Sequence, residues 1–250
     1  LRRQRQMCIR DSCYIAPELN TSYSFDATTM GNGRATTNIR PEPLRGAEAR
    51  VLWETGTIRG AIVESAKLTG DGRIVFRTGM TCGNAVIGLL DSRGVCIWSW
   101  HIWSVDYEIE ATAQTYASGA VFMDRNLGAL ATDCTQAAAK GLYYQWGRKD
   151  PFLPSNGLSN TNKTWFDKDG NASTASPGVE NLSTGIACIK NYILKPGVMH
   201  SQSSGDNTYC NLWSADNTVT NNNDNEVVKT IYDPSPVGFK LPASNAFTGF

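Results

Sequence analysis

Histidine is almost missing from this chain, with 2 residues in 250, His101 and His200. The seven cysteines form no Cys-x-x-Cys pair. Together these shortages leave no spacing suited to a zinc site. Glycine-rich phosphate loops of the dinucleotide or Walker type do not occur, nor does a serine or cysteine nucleophile in a recognisable elbow. No apolar run is long enough to cross a bilayer. Lysine and glutamate are sparse, which argues against long helices. What the chain has instead is Asn, Thr, Ser and Gly, a composition that favours strands and turns and is common in extracytoplasmic β proteins.

The two ends stand apart. The stretch Leu1-Arg2-Arg3-Gln4-Arg5-Gln6-Met7-Cys8-Ile9-Arg10-Asp11-Ser12 is the most basic of the chain. No apolar segment follows it, so it is not a signal peptide. It resembles one reading frame of the transposase adapter used in shotgun sequencing libraries, and residues 1–12 are set aside on that ground; the alternative is a disordered basic arm. At the other end, Leu241-Pro242-Ala243-Ser244 reads as a helix start that is not completed. Both ends are read as truncations.

The full chain carries 23 basic and 23 acidic residues. Without the four arginines and one aspartate of residues 1–12, 19 basic and 22 acidic residues remain, a net charge of about −3. Such a surface has no electrostatic reason to seek nucleic acid or an anionic membrane. With Cys8 set aside, six cysteines remain, an even number that permits disulfides in an oxidising compartment. Cys188 with Cys210 is the most plausible pair, whereas Cys82 and Cys96 read as buried, strand-borne thiols.

Residues 13–104 show strand after strand: 13–15, 23–25, 49–53, 62–68, 73–77, 84–90 and 95–103, with turns at Gly70-Asp71-Gly72 and Asp91-Ser92-Arg93-Gly94. That succession predicts an N-terminal β-sandwich. The last strand places Trp98, Trp100 and Ile102 on one face and Ser99, His101 and Trp103 on the other. Large side chains on both faces predict cover on both, by the sandwich core and by a following domain. A polar connection spans 104–118, then residues 119–250 form a second unit. There, 120–124 reads as a strand, 141–147 as a short helix or strand, and 156–225 as a long polar stretch with a few weak strands. Order returns at 227–232, before Asp233-Pro234-Ser235-Pro236 turns the chain.

Several segments carry a resemblance: Cys13-Tyr14-Ile15; Ile97-Trp98-Ser99-Trp100-His101-Ile102-Trp103; Met123-Asp124-Arg125-Asn126-Leu127-Gly128-Ala129; Gly141-Leu142-Tyr143-Tyr144-Gln145-Trp146-Gly147-Arg148-Lys149-Asp150-Pro151-Phe152; and Tyr232-Asp233-Pro234-Ser235-Pro236-Val237-Gly238-Phe239-Lys240-Leu241-Pro242. Together they resemble the Bacteroidetes surface proteins labelled fimbrillin-like, and the second half is similar to the major paralogous domain first named from Fibrobacter. Relatives often have Cys at the position of Ser235 and Trp at that of Phe239. The resemblance implies export, display outside the cell through a lipid anchor, and an α+β C-type-lectin-like arrangement for residues 119–250. It supplies no catalytic residues.

Candidate site residues are therefore weighed on their own chemistry. Asp124-Arg125-Asn126 could bind a sugar or ion, but a charged pair at a strand end is better placed to fix loop backbone. Trp146 sits beside Arg148, Lys149 and Asp150, and Arg148 could stack on an aromatic; a scaffold role is the better reading. Asp224 and Glu226 lie in an oxygen-rich run that could attract calcium, yet the run lacks the spacing of a calcium loop. Trp165 and Trp213 are the best candidates for glycan contact, since an indole offers a sugar ring apolar area and a donor N–H; anchoring of loops competes with that role. His101 reads as a core residue. No catalytic residue, cofactor or metal is expected. The expectation is a non-catalytic structural or adhesive surface protein whose partners are extracellular glycans or other surface proteins. A glycan-binding lectin-like module is the alternative. An enzyme akin to the formylglycine-generating oxidase comes last, because that chemistry needs a reactive cysteine pair and none lies close in sequence.

Overall fold

A computed structural model describes residues 5–56, 58–151, 165–166, 172–173, 179–181, 183, 199–201 and 206–248. The protein is mainly β. Eight strands, β1 (Arg5–Met7), β2 (Cys13–Ala16), β3 (Ser22–Asp26), β4 (Glu48–Glu54), β5 (Val63–Leu68), β6 (Arg73–Thr78), β7 (Gly83–Leu90) and β8 (Cys96–Ser104), build two four-stranded sheets. One has the order β1-β3-β6-β5, the other β2-β8-β7-β4. β1 runs parallel to β3 and β2 parallel to β8, while the remaining pairs are antiparallel.

Local chemistry closes the two hairpins. Between β5 and β6 the Thr69 amide donates to the Arg73 carbonyl at 2.8 Å. Between β7 and β8 the Asp91 carboxylate accepts the amides of Arg93 and Val95, both at 2.9 Å, as expected of an Asp that opens a turn.

The two sheets share one apolar cluster. Trp98, Trp100 and Ile102 of β8 meet Tyr23 and Phe25 of β3 and Phe76 of β6 in it. Phe25 lies 5.1 Å from Trp100 and stacks on Tyr14 of β2 at 4.7 Å, ring centre to ring centre. Burial of each such side chain stabilises the fold by about 1.5–3 kcal/mol. β8 is closed on its other side too, since Ser99, His101 and Trp103 are each 0 % exposed. Trp103 packs with Val105, Ile109, Met123, Leu127 and Phe239. The cover on this side comes from beyond residue 104.

Outside the two sheets the elements are short. β9 (Gln114–Thr115) pairs with β10 (Val121–Phe122), β11 (Trp165–Phe166) with β12 (Ala172–Ser173), and β13 (Val179–Asn181) with β14 (Met199–Ser201). Three 3-10 turns occupy Ile109–Thr112, Ala137–Lys140 and Ser244–Phe247. Several expectations need correction here. The strand at 120–124 shrinks to two residues. Residues 141–147 are neither helix nor strand. Residues 227–232, for which no particular element was expected, are buried or half-buried and carry a single bridge between Ser214 and Lys229. The helix start at Leu241 becomes one 3-10 turn at Ser244–Phe247. No helix among the described residues is long and apolar enough to cross a membrane.

Side-chain anchors replace regular ladders in this region. Lys229 Nζ donates to the carbonyls of Ser235, Pro236 and Phe239 at 2.7, 3.1 and 3.0 Å. The Asp233 carboxylate accepts the amides of Ser235 and Leu241 at 2.8 and 3.1 Å. The proline-rich turn is thereby held without a strand partner, and Phe239 packs against the cluster of Trp103, Val105 and Ile109. Of the residues set aside on sequence grounds, 5–7 form β1, Arg10 pairs with Asp26, and Asp11 and Ser12 stand beside this turn, while residues 1–4 lie outside the described residues. Asp11 pairs with Lys229 at 2.6 Å, and Ser12 Oγ donates to the Ile231 carbonyl at 2.8 Å.

Candidate functional site

The outer face of the β2-β8-β7-β4 sheet carries a buried polar layer. The parallel register of β2 on β8 sets Cys13 opposite His101, and the antiparallel register of β7 on β8 brings Asn84 to the same face. Cys13 Sγ lies 3.2 Å from His101 Nδ1, and His101 Nε2 lies 2.9 Å from Asn84 Oδ1. Asn84 Nδ2 donates to the Gly128 carbonyl at 2.9 Å. The bonds form a consistent chain when the thiol donates to Nδ1 and the Nε2–H donates to the amide oxygen, a tautomer assigned from the partners.

Thiol, imidazole and amide in this order are the elements of a cysteine-protease triad. Their electrostatics are the opposite of what that chemistry needs. Burial pulls His101 down to about 3, and burial pushes the Cys13 thiol well above its ordinary range. Neutral thiol and neutral imidazole face each other, whereas a nucleophilic cysteine is a thiolate beside a cation. Cys13 and His101 are each 0 % exposed, and neither of the two clefts described below reaches them.

One residue pair along β8, a second cluster follows. Lys149 Nζ donates to the Ser99 carbonyl at 2.7 Å and to Ser99 Oγ at 2.6 Å, and it pairs with Asp150 at 2.8 Å. Ser99 Oγ donates to Asp150 Oδ2 at 2.6 Å. Burial alone raises the Asp150 carboxyl, but the adjacent Lys149 charge and the bonds from Lys149 and Ser99 outweigh it and hold it below its ordinary value. Serine beside lysine is also a nucleophile–base pairing, yet here the lysine is engaged by a carboxylate and all three residues are buried. The cluster fastens the irregular 148–150 segment to the sheet.

The other sequence candidates divide. Arg125 forms a two-point pair with Asp124, both bonds 2.6 Å, and lies 3.7 Å over the Tyr107 ring; the backbone contact comes from Asn126, which donates to the Ala139 carbonyl at 3.2 Å. Lys149 lies 4.6 Å over the Trp98 ring, and Trp146 meets Trp213 edge to face at 4.7 Å. Glu226 is exposed and pairs with Lys240 at 2.7 Å, and Asp224 is exposed. Among the described residues no group of three His, Cys, Asp or Glu side chains could hold a metal ion. Trp165 has its backbone in β11, and its side chain lies outside the described residues. Cys188 lies outside them as well, and Cys210 carries a free thiol, which corrects the expected pairing of the two. Cys96 is a buried thiol in β8; Cys82 is free and half-buried just before β7.

Trp146 and Trp213 wall a cleft of about 740 Å³ with Asn217, Thr220, Asn221 and Phe247. Leu241, Pro242 and Phe247 line both it and a second cleft of about 730 Å³, bordered by Tyr116, Phe122, Arg125 and Lys140. The sequence singled out Trp213 and missed Trp146 as its partner, because the two are 67 positions apart and only the folded chain brings them together. Compared with known proteins, the chain matches no family model, no curated sequence and no solved structure.

Proposed function

We propose that this chain is part of a non-catalytic structural or adhesive protein of the bacterial cell surface, of the fimbrillin-like kind. On this reading the two sheets form a β-sandwich, and residues 119–250 are a C-type-lectin-like partner docked on its outer face. The protein is exported, is held at the surface by a lipid anchor, and meets extracellular glycans or other surface proteins. The observation that carries the reading is the fate of the reactive side-chain types. Cys13, His101, Ser99 and Lys149 all lie in the sealed layer between β8 and the segments that follow, where they satisfy one another and fasten the two parts of the chain. The first cleft is lined instead by uncharged side chains, aromatic, aliphatic, hydroxyl and amide, beside one thiol, Cys210. Such a distribution suits a surface that binds and does not react.

Fractionation of cells expressing a full-length homologue tests the proposal. The expected result is recovery with the outer membrane and loss of the protein on brief protease treatment of intact cells. Recovery in the cytoplasm would overturn it.

A further inference from the structure

We propose that the cleft at Trp146 and Trp213 is a subsite for a neutral sugar ring, and that it continues past Phe247 into the second cleft as a track for an oligosaccharide. The inference rests on the adhesive reading above and names the class of ligand.

The lining excludes most other ligands. None of the described residues around the first cleft carries a charge, so a phosphate, carboxylate or ammonium entering it would lose its hydration without a counter-charge. The wall is made of two indoles and a phenyl ring, with serine, threonine and asparagine side chains between them. Trp146 is 37 % exposed and Phe247 61 % exposed. The indole planes of Trp146 and Trp213 meet at 61°, which leaves an aromatic corner rather than a closed stack. A pyranose offers what fits there: one face of C–H groups for the ring and a rim of hydroxyls for the amides. The size lies within the range of small-molecule sites.

Two polar atoms sharpen the inference. Trp213 Nε1 and Asn217 Oδ1 are buried and find no hydrogen-bond partner among the described residues. Asn217 Nδ2 is engaged with the Cys210 carbonyl at 3.0 Å, which fixes the amide so that its oxygen is the free end. One open donor and one open acceptor in the same lining match a hydroxyl group, which gives one hydrogen bond and takes another.

The aromatic wall does not stop at the first cleft. Phe247 lies 5.2 Å from Phe122, and Phe122 lies 5.7 Å from Tyr116, which borders the second cleft. Successive rings along a path that joins two clefts suit a chain of sugar units better than a single one. The second cleft contains charges: Asp124 and Arg125 neutralise each other and Lys240 is paired with Glu226, which leaves Lys140 as one cation on its border.

Binding to immobilised neutral glycans beside sialylated and sulfated ones tests the class. Titration with maltose and maltohexaose, chitobiose and chitohexaose, and mannobiose and mannohexaose then tests the track, read by tryptophan fluorescence. The expected result is retention on neutral glycans, with a hexasaccharide bound about tenfold more tightly than its disaccharide. Trp146→Ala should weaken binding about tenfold or more with the melting temperature kept. Trp213→Phe should keep the ring and weaken binding through loss of the N–H. Tyr116→Ala, which touches only the second cleft, should erase the advantage of the hexasaccharide and leave the disaccharide affinity as it was. Silence of the folded protein towards every neutral glycan, a preference for acidic glycans, or Trp146→Ala binding like the parent would each overturn the inference. None of these results touches surface location, so the adhesive reading fails or stands on the fractionation.

Discussion

Replacing Asp150 by asparagine should cost the fold about 3–5 kcal/mol, the usual consequence of leaving a buried charge without its partner. The size follows from what surrounds the carboxylate. Its side chain and that of Lys149 are 6 % and 5 % exposed, so water cannot take over the ammonium. Asparagine keeps the shape and can still accept from Ser99. The two oxygens of Ser99 also go on accepting from Lys149 at 2.6 and 2.7 Å. What disappears is the counter-charge, and Arg148 adds a second cation nearby. Natural domains are stable by about 5–15 kcal/mol, so the variant should be folded but visibly weakened. Urea unfolding followed by tryptophan fluorescence measures the loss, since Trp98 lies directly against Lys149. The double variant Lys149→Met with Asp150→Leu should be far less destabilised than Asp150→Asn, because it removes both charges at once. Because the Asp150 carboxyl is held below its ordinary value of 3.8, its stabilisation is complete above that pH and drains away as pH falls through the lower folded-state value. A loss below about 1 kcal/mol for Asp150→Asn, or a double variant destabilised as much as Asp150→Asn, would refute the sealed-pair reasoning.

Two further outcomes are expected. His101 is held at about 3 against 6.5 in the unfolded chain, so the unfolded state takes up the proton first. Stability should be complete above pH 6.5 and fall as pH drops towards 3, by about 4–5 kcal/mol at full extent; His101→Gln should flatten that part of the stability–pH curve, and an unchanged curve would contradict the buried neutral imidazole. Gly128 has a φ of +77°, and a Cβ there would stand 2.7 Å from the Leu142 side chain, while its carbonyl receives Asn84. Gly128→Ala should therefore lower stability by about 1–3 kcal/mol, measured as a drop in melting temperature, and a neutral result would show that the loop is not pinned to the sheet.

Much of the first half was legible in the sequence because alternation is a local signal. The two faces of β8 could be read from Trp98, Ser99, Trp100, His101, Ile102 and Trp103 alone, and both are buried. Strand partners are not local. Nothing near Cys13 announces that β2 runs parallel to β8, and only that pairing turns a lone histidine into the centre of the Cys13–His101–Asn84 chain. A scaffold role for the segment from Trp146 to Asp150 could be read from its residue types, but not its partner; the burial of Lys149 and Asp150 depends on Ser99, 50 residues before Lys149. Order at residues 227–232 could be read from their apolar content, but not its form: Lys229 and Asp233 satisfy the neighbouring backbone by side-chain bonds, beside a single bridge. The Trp146–Trp213 corner joins two stretches whose sequence carries no strong period, so only its tryptophan content could have pointed to it.

Thiol reactivity of Cys13 tests the central claim most directly. Iodoacetamide labelling of the native protein, resolved by peptide mass spectrometry across pH 5–9 and compared with the exposed Cys134, should leave Cys13 unmodified until the fold is opened by urea. Rapid native alkylation of Cys13, persisting into acid as a thiolate–imidazolium pair would make it, would contradict the inert layer and turn the same three residues into a working site.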